Sequence, residues 1–199
     1  LLGGVVLFAG VTGHLLETGD AAFTRMAADS VSHWLILAGF LINAGAPPLS
    51  AWLSDAYPEA SWSGTVFLSA FTTKTAVYVL LRGFPGTEIL IWVGLFMVFY
   101  GIVYALLEND MRRILAFHIV SQIGYILLAV ALGGAGGNAA ALLYTVHHIV
   151  VKANLFLIAG MVATLAGSYD LRRIGGMAAA RPALALLFAV PALSLVGIP

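Results

Sequence analysis

Two lysines, Lys74 and Lys152, stand inside long apolar stretches of the sequence, where a charged side chain is costly. Each is predicted near the middle of a membrane-crossing helix, too deep for its stem to carry the ammonium to the interface. A buried amine can exchange protons, because burial penalises its charged form. Both lysines are therefore candidates for proton exchange or for a buried ion pair.

Two histidines precede Lys152. His148 lies four residues before Lys152, so a helix places both side chains on one face, one turn apart. His147 points roughly 100° away from His148. Since histidine titrates nearest to neutral pH and binds protons at two ring nitrogens, we favour a proton relay. The alternatives are a hydrogen-bonded packing histidine and a metal site; no acidic residue or His-x3-His pair at this depth supports the latter.

A helix break is predicted within the run INAGAPPLSAWLSDAYPEA. Pro47 and Pro48 cannot donate backbone hydrogen bonds, so the helix should break near Gly45. Inside a bilayer, the backbone carbonyls that a break leaves unpaired must face protein or a water-filled cavity. Broken helices of this kind occur at ion and substrate sites in transporters. Asn43, just before the break, is the polar side chain of this candidate site. A simple proline kink is the alternative.

A third polar group lies in the run AFHIVSQIGYI, near one end of its segment. Helical spacing puts His118, Gln122 and Tyr125 on about one face. They are candidates for an access route from the cytoplasmic side, or for ordinary hydrogen bonds between helices.

The composition determines which elements position these residues. Of 199 residues, 61% are hydrophobic and 9% are charged, against roughly 25% charged in soluble domains. So few charges, with zero net charge, exclude a soluble enzyme and a nucleic-acid-binding module. The absence of cysteine excludes disulfides, iron–sulfur clusters and cysteine zinc sites. The sequence predicts an all-α, polytopic transmembrane bundle in a lipid bilayer, with residues 1–199 as a single domain.

Seven apolar segments are predicted, most of them about 20 residues long and able to span a bilayer. They cover residues 1–16, 33–53, 62–81, 89–107, 114–132, 138–166 and 182–199. The arginines between them are unequally divided. Arg25 and Arg82 lie on one side. The other side has five: Arg112, Arg113, Arg172, Arg173 and Arg181. The positive-inside rule therefore predicts that residues 108–113 and 167–181 face the cytoplasm, together with residues 54–61.

The acidic residues all fall in loops or at segment ends. Buried cations normally have an acidic partner. We therefore expect the counter-acid of Lys74 and Lys152 to come from further chain or from a neighbouring subunit. The chain opens and stops inside apolar runs, which indicates a piece of a longer protein.

Three linked runs stand in order along the chain: GAPPLSAWLSDAYPEASWSGTVFLSAFTTKTAVYVLLRG, ENDMRRILAFHIVSQIGY and HHIVVKANLFLIAG. Together they resemble the antiporter-like, proton-translocating membrane subunits of respiratory complex I, membrane-bound hydrogenases and Mrp-type cation/proton antiporters, most of all the Mrp D-type subunits. The resemblance implies a fragment of a subunit of about fourteen helices, with a second broken helix opening at SLVGIP. It also implies a multi-pass protein of the inner or plasma membrane of a prokaryote, with other membrane subunits as partners and protons, alone or together with Na⁺, as its ions.

The resemblance also implies residue roles. Lys74 matches the lysine on the helix after the first broken helix, within a central hydrophilic axis, and His148 and Lys152 match the histidine and lysine farther along it. Asn43 stands where the family usually has a lysine that pairs with a glutamate on an earlier helix. This chain lacks that glutamate, and asparagine cannot exchange a proton at neutral pH. A modified proton path or a mainly structural role follows.

Three functions therefore compete. The first is a proton-conducting subunit of a multi-subunit Na⁺/H⁺ antiporter. The second is a membrane-arm subunit of an NADH:quinone oxidoreductase or a membrane-bound hydrogenase. The third is a scaffold subunit that no longer moves ions. No motif for nucleotide, quinone or flavin chemistry is present, so we expect no cofactor, and the chain is not predicted to be an enzyme by itself.

Overall fold

The computed structural model describes residues 1–197. Over that range it contains helices and no β-strand. The helices, in chain order, are α1 (Leu2–Thr18), α2 (Val31–Ala44), α3 (Ala51–Glu59), α4 (Trp62–Phe67), α5 (Thr73–Gly83), α6 (Ile89–Leu107), α7 (Met111–Leu132), α8 (Gly134–Ala166), α9 (Met177–Ala180) and α10 (Pro182–Leu195). A π-helical turn, Leu68–Thr72, joins α4 to α5, and a 3-10 turn, Leu171–Arg173, precedes α9. The predicted all-α bundle is confirmed.

Within residues 1–197, four helical units are long and apolar enough to cross a membrane: Trp62–Gly83, α6, α7 and α8. Three shorter apolar helices, α1, α2 and α10, accompany them. These seven units correspond to the seven predicted segments. The second broken helix predicted at SLVGIP extends to Ile198 and Pro199, which lie outside the described residues.

The predicted break after α2 is present. Gly45 ends the helix with φ 86°, a left-handed conformation that favours glycine, and α3 begins only at Ala51. The Gly45 N–H donates to the Ile42 carbonyl at 3.0 Å. The same carbonyl accepts a 3.1 Å hydrogen bond from the indole N–H of Trp52 on α3. A side chain from the second half of the broken helix therefore donates to a backbone carbonyl of the first half.

Helix α7 lies at the centre and packs against α3, α5, α6 and α8. Its closest neighbour is α6, and the two backbones meet at glycines. A Cβ at Gly124 would lie 2.6 Å from the Gly94 carbonyl oxygen. Only glycine permits this approach, so the two glycines determine where the helices cross.

Loops from distant parts of the chain meet at the two ends of the bundle. At one end the Met111 N–H donates to the Tyr169 carbonyl at 3.1 Å, and Arg113 lies 3.4 Å from the Asp55 carboxylate. At the other end the Met26 N–H donates to the Gly83 carbonyl at 2.7 Å. The first end thus joins the three segments predicted to share a side; that this side is cytoplasmic stays a prediction.

Candidate functional site

Lys74 is the second residue of α5, directly after the π turn, and its side chain is buried. Its ammonium donates a 2.6 Å hydrogen bond to the carbonyl of Ser69, which belongs to that turn. In a π turn each N–H reaches the carbonyl five residues back, so the turn holds one residue more than an α turn. A local change in the helix therefore both positions Lys74 and supplies its hydrogen-bond acceptor.

Lys152 and His148 lie one turn apart on α8, and both are 0% exposed. No described protein atom is hydrogen-bonded to the Lys152 ammonium or to either ring nitrogen of His148. Tyr144, one turn earlier, stacks on His148 with ring centroids 6.5 Å apart and planes 8° from parallel. Its hydroxyl donates to the side-chain oxygen of Gln122 on α7.

These basic groups form one cluster that we call the basic cluster: Lys74, His118, His148 and Lys152. Lys74 is within electrostatic range of His148 and Lys152, and His118 is within range of Lys152. No Asp or Glu is among the buried residues of the described chain. The basic cluster can therefore bind and release protons but has no carboxylate to balance its charge. Within residues 1–197 no group of His, Cys, Asp or Glu side chains is arranged to hold a metal ion.

The remaining residues predicted around the axis have separate surroundings. His147 faces α10, where its Nε2 lies 2.7 Å from the hydroxyl of Ser194. His118 is half-buried, with an Nδ1 atom that has no hydrogen-bond partner in the described chain. Gln122 is buried, whereas Tyr125 is 48% exposed. The predicted face of α7 therefore runs from the basic cluster to the outside of the described bundle.

The broken-helix site lies beside α1 and an open groove. Asn43 is half-buried and faces α1, where a Cβ at Gly3 would come 2.5 Å from its Oδ1 atom. With Pro48 it lines an open groove of about 610 Å³ between α1, α2, α3 and α5. Pro47 lies in the turn beside them. No member of the basic cluster lines this groove.

Some contacts of the site do not follow from the sequence. The contact of Tyr144 with His148 does follow from the sequence, because Tyr144 precedes His148 by four residues and so lies on the same helical face. Ser194 cannot be found in this way, because it meets His147 only through packing of α10 on α8. Ser69 contributes a backbone carbonyl oxygen to the site. Every residue has one, so the sequence does not indicate which carbonyl Lys74 contacts.

A second polar cluster joins the last turns of α1 to the start of α2. His33 contacts the Asp29 carboxylate through Nδ1 at 2.8 Å and His14 Nδ1 through Nε2 at 3.1 Å. The hydrogen bond from His33 lowers the pKa of Asp29. These residues are not among the predicted site residues, although Asp29 and His33 have the i, i+4 spacing of helical neighbours.

Comparison with known proteins assigns the fold to a family. A family model described as NADH:quinone oxidoreductase/Mrp antiporter, TM, matches residues 1–199. The chain belongs to that family. The resemblance found in the three sequence runs is therefore confirmed, and so is the multi-pass membrane fold.

Relatives come from two kinds of complex. The D-type subunit of the Na(+)/H(+) antiporter of Alkalihalophilus pseudofirmus is 36% identical over 175 residues, which is 83% of this chain and 35% of the relative. The M-type subunit of the NADH-quinone oxidoreductase of Escherichia coli is 32% identical over 180 residues, 82% of this chain and 35% of the relative. The chain thus covers about a third of the length of these relatives.

Two solved structures match the whole length of this chain. A chain of the Mrp complex from Dietzia sp. DQ12-45-1b matches with a TM-score of 0.89 and 36% identity, over all of this chain and 40% of that one. A chain of the membrane-bound sulfane sulfur reductase, an archaeal respiratory membrane complex, also has a TM-score of 0.89, at 26% identity over all of this chain and 45% of that one.

Proposed function

We propose that this chain is part of the proton-conducting subunit of a multi-subunit monovalent cation/proton antiporter in a prokaryotic plasma membrane. Protons move along a mid-membrane axis of Lys74, His148 and Lys152, and the partners are other membrane subunits of the complex. The similarity to the D-type subunit of a Na(+)/H(+) antiporter supports the kind of complex. The full subunit extends beyond this chain, which we regard as one transmembrane domain of it.

The observation that carries the proposal is the burial of three members of the basic cluster without an acidic partner. Two lysines and a histidine on two different helices are at most 3% exposed, and no Asp or Glu of the described chain is buried with them. Fixed buried charges of one sign repel strongly at low dielectric, so the groups cannot all stay protonated together. A proton added to one of them favours loss of a proton from another. Such negative coupling is what a chain of proton-exchanging groups needs.

Asn43 supports a modified version of this path. It cannot exchange a proton at neutral pH, and it lies at the open groove rather than in the basic cluster. Lys74 is therefore the first exchanging group after the broken helix. We therefore expect the burden of proton exchange to fall on Lys74.

A second candidate is a membrane-arm subunit of an NADH:quinone oxidoreductase. The 32% identity to the M-type subunit of the Escherichia coli enzyme favours it. The two candidates predict different partners. Purification of the full-length subunit with its native complex and mass spectrometry of the co-purifying chains separates them: small apolar antiporter subunits support the first, and hydrophilic iron–sulfur and flavin subunits support the second.

The proton path itself is tested by Lys74→Ala and Lys152→Ala in the full-length subunit. Each removes a buried amine, so proton flux in everted vesicles should fall to background while immunoblots show normal subunit levels. Tyr78→Phe is the matched control, because Tyr78 lies on α5 four residues after Lys74 and is 48% exposed; its flux should stay at the wild-type level. Normal flux in both lysine variants would instead support a scaffold that moves no ions.

A further inference from the structure

We propose that Tyr57, on the second half of the broken helix, is a positioning residue for Lys74: its hydroxyl fixes the π turn Leu68–Thr72 in the rotation that turns Lys74 toward α7 and α8. The inference rests on the proposed function, because it names what aims the first proton-exchanging group. No part of it requires Tyr57 to exchange a proton itself.

Tyr57 is held firmly where α3, the π turn and α8 meet. It is 0% exposed, and its ring packs edge-on against Phe156 of α8 with centroids 6.0 Å apart. Its backbone carbonyl accepts a 3.0 Å hydrogen bond from the hydroxyl of Thr65 on α4. The Tyr57 hydroxyl then donates to the carbonyl of Leu68, the first residue of the π turn, at 2.9 Å. Both ends of the tyrosine are therefore bonded to the helical unit that contains Lys74.

The hydrogen bond to Leu68 stabilises a helical register that α-helical bonding does not favour. A π turn is rare, and its carbonyls need suitable donors. Here three side chains donate to carbonyls of the turn. Tyr57 donates to Leu68, and Lys74 donates to Ser69 at 2.6 Å. Thr75 donates to the last carbonyl, that of Thr72, at 2.9 Å. The π register is therefore bonded from α3 on one side and from the following helix on the other.

The register decides which side chain faces the basic cluster. An α-helix turns about 100° per residue, so removing the extra residue of the π turn would rotate α5 by about that angle against α4. The buried position of Lys74 would then pass to Thr73 or Thr75, neither of which can exchange a proton. The groups that Lys74 faces across the bundle are His148 and Lys152 on α8 and, next to Lys152, His118 on α7. Rotation would take the ammonium away from all three.

The same contacts couple the broken helix to Lys74. Helix α3 follows the break at Gly45, and the Tyr57 hydroxyl is its polar link to the π turn. A shift of α3 therefore alters the bonding of Leu68 first and the orientation of Lys74 second. The break influences proton exchange through Tyr57, although Asn43 at the break has no proton to exchange.

The test is Tyr57→Phe in the full-length subunit within its complete complex. The substitution removes one oxygen atom and keeps the ring against Phe156, so assembly should match the wild type. Tyr78→Phe is the matched control, since Tyr78 lies on α5 and is 48% exposed. Two measurements are made on each variant: amide hydrogen exchange of peptides that cover residues 66–76, and the pH profile of proton flux in everted vesicles.

We expect faster exchange in residues 66–76 of Tyr57→Phe, by roughly fivefold, because one net hydrogen bond is lost. We also expect reduced flux with a pH profile displaced from that of the wild type, because Lys74 changes its surroundings. The control should change neither measurement. Unchanged exchange, an unchanged pH profile, or loss of assembly in Tyr57→Phe would each overturn the inference.

The failure of this inference is distinguishable from failure of the proposed function. Wild-type flux in Lys74→Ala would refute the proton path, whatever Tyr57→Phe does. Lost flux in Lys74→Ala together with a wild-type profile in Tyr57→Phe would refute only the positioning by Tyr57.

Discussion

The ammonium of Lys74 is hydrogen-bonded to the carbonyl of Ser69, five residues earlier on the same helical unit, at 2.6 Å. A carbonyl accepts a hydrogen bond but carries no full charge, so this contact orients the lysine without neutralising it. Lys74 can therefore lose its proton without leaving a carboxylate unpaired, whereas a buried ion pair would be broken by the same event. The geometry suits a group that changes its protonation state repeatedly.

The first prediction concerns Asn43. Asn43→Ala should reduce proton flux much less than Lys74→Ala, because Asn43 is half-buried at the groove beside α1 and is not part of the basic cluster. Flux in everted vesicles, normalised to subunit level by immunoblot, compares the two variants. Equal loss in both would mean that the amide takes part in the path.

A second prediction concerns the crossing of α6 and α7. Gly124→Ala should destabilise the protein by about 2 kcal/mol, because the new Cβ cannot fit against backbone; it would lie 2.6 Å from the Gly94 carbonyl oxygen. Thermal unfolding of the purified complex in detergent measures the change. Gly136→Ala on α8 is the control, since no atom beyond the local backbone of its own helix lies within 4 Å of the Cβ that alanine would add there, and its unfolding midpoint should not fall.

The third prediction is a pH dependence of stability at the start of α2. The hydrogen bond from His33 lowers the pKa of Asp29 below its ordinary value. The Asp29–His33 hydrogen bond therefore contributes its full stability above the pKa of Asp29 in the unfolded state, about 3.9. That contribution is lost as the pH falls through the lower pKa of Asp29 in the folded protein. Asp29→Asn should have a lower unfolding midpoint than the wild type at pH 6, and the difference should shrink below about pH 4. A difference that grows on acidification would contradict this sign.

Much of the fold follows from residue types alone. Long apolar runs predict the spanning helices, and Pro47 and Pro48 predict the break, because proline removes the donor that a helix needs. Lys74, His148 and Lys152 stand out because polar groups are costly at that depth. The start of α8 is harder to predict. Glycines disfavour helix, so the sequence predicts the segment from residue 138, whereas the helix begins at Gly134.

The features that the sequence does not reveal depend on tertiary contacts. The π turn has no signature in LSAFT, and the hydroxyl bonded to its first carbonyl comes from Tyr57 on another helix. The contact of His147 with Ser194 joins residues 47 positions apart. The proximity of His118 to Lys152 likewise arises from the packing of α7 on α8.

The most direct test of the central claim, that Lys74 carries protons, is the proton flux of Lys74→Arg in everted vesicles from cells that express the complete complex. Arginine keeps the positive charge but stays protonated at any working pH. We predict a normally assembled complex without proton-coupled transport. Arg82→Lys, at an exposed position near the end of α5, should keep normal flux under the same conditions. Normal flux in Lys74→Arg would contradict the claim and leave Lys74 with a structural charge alone.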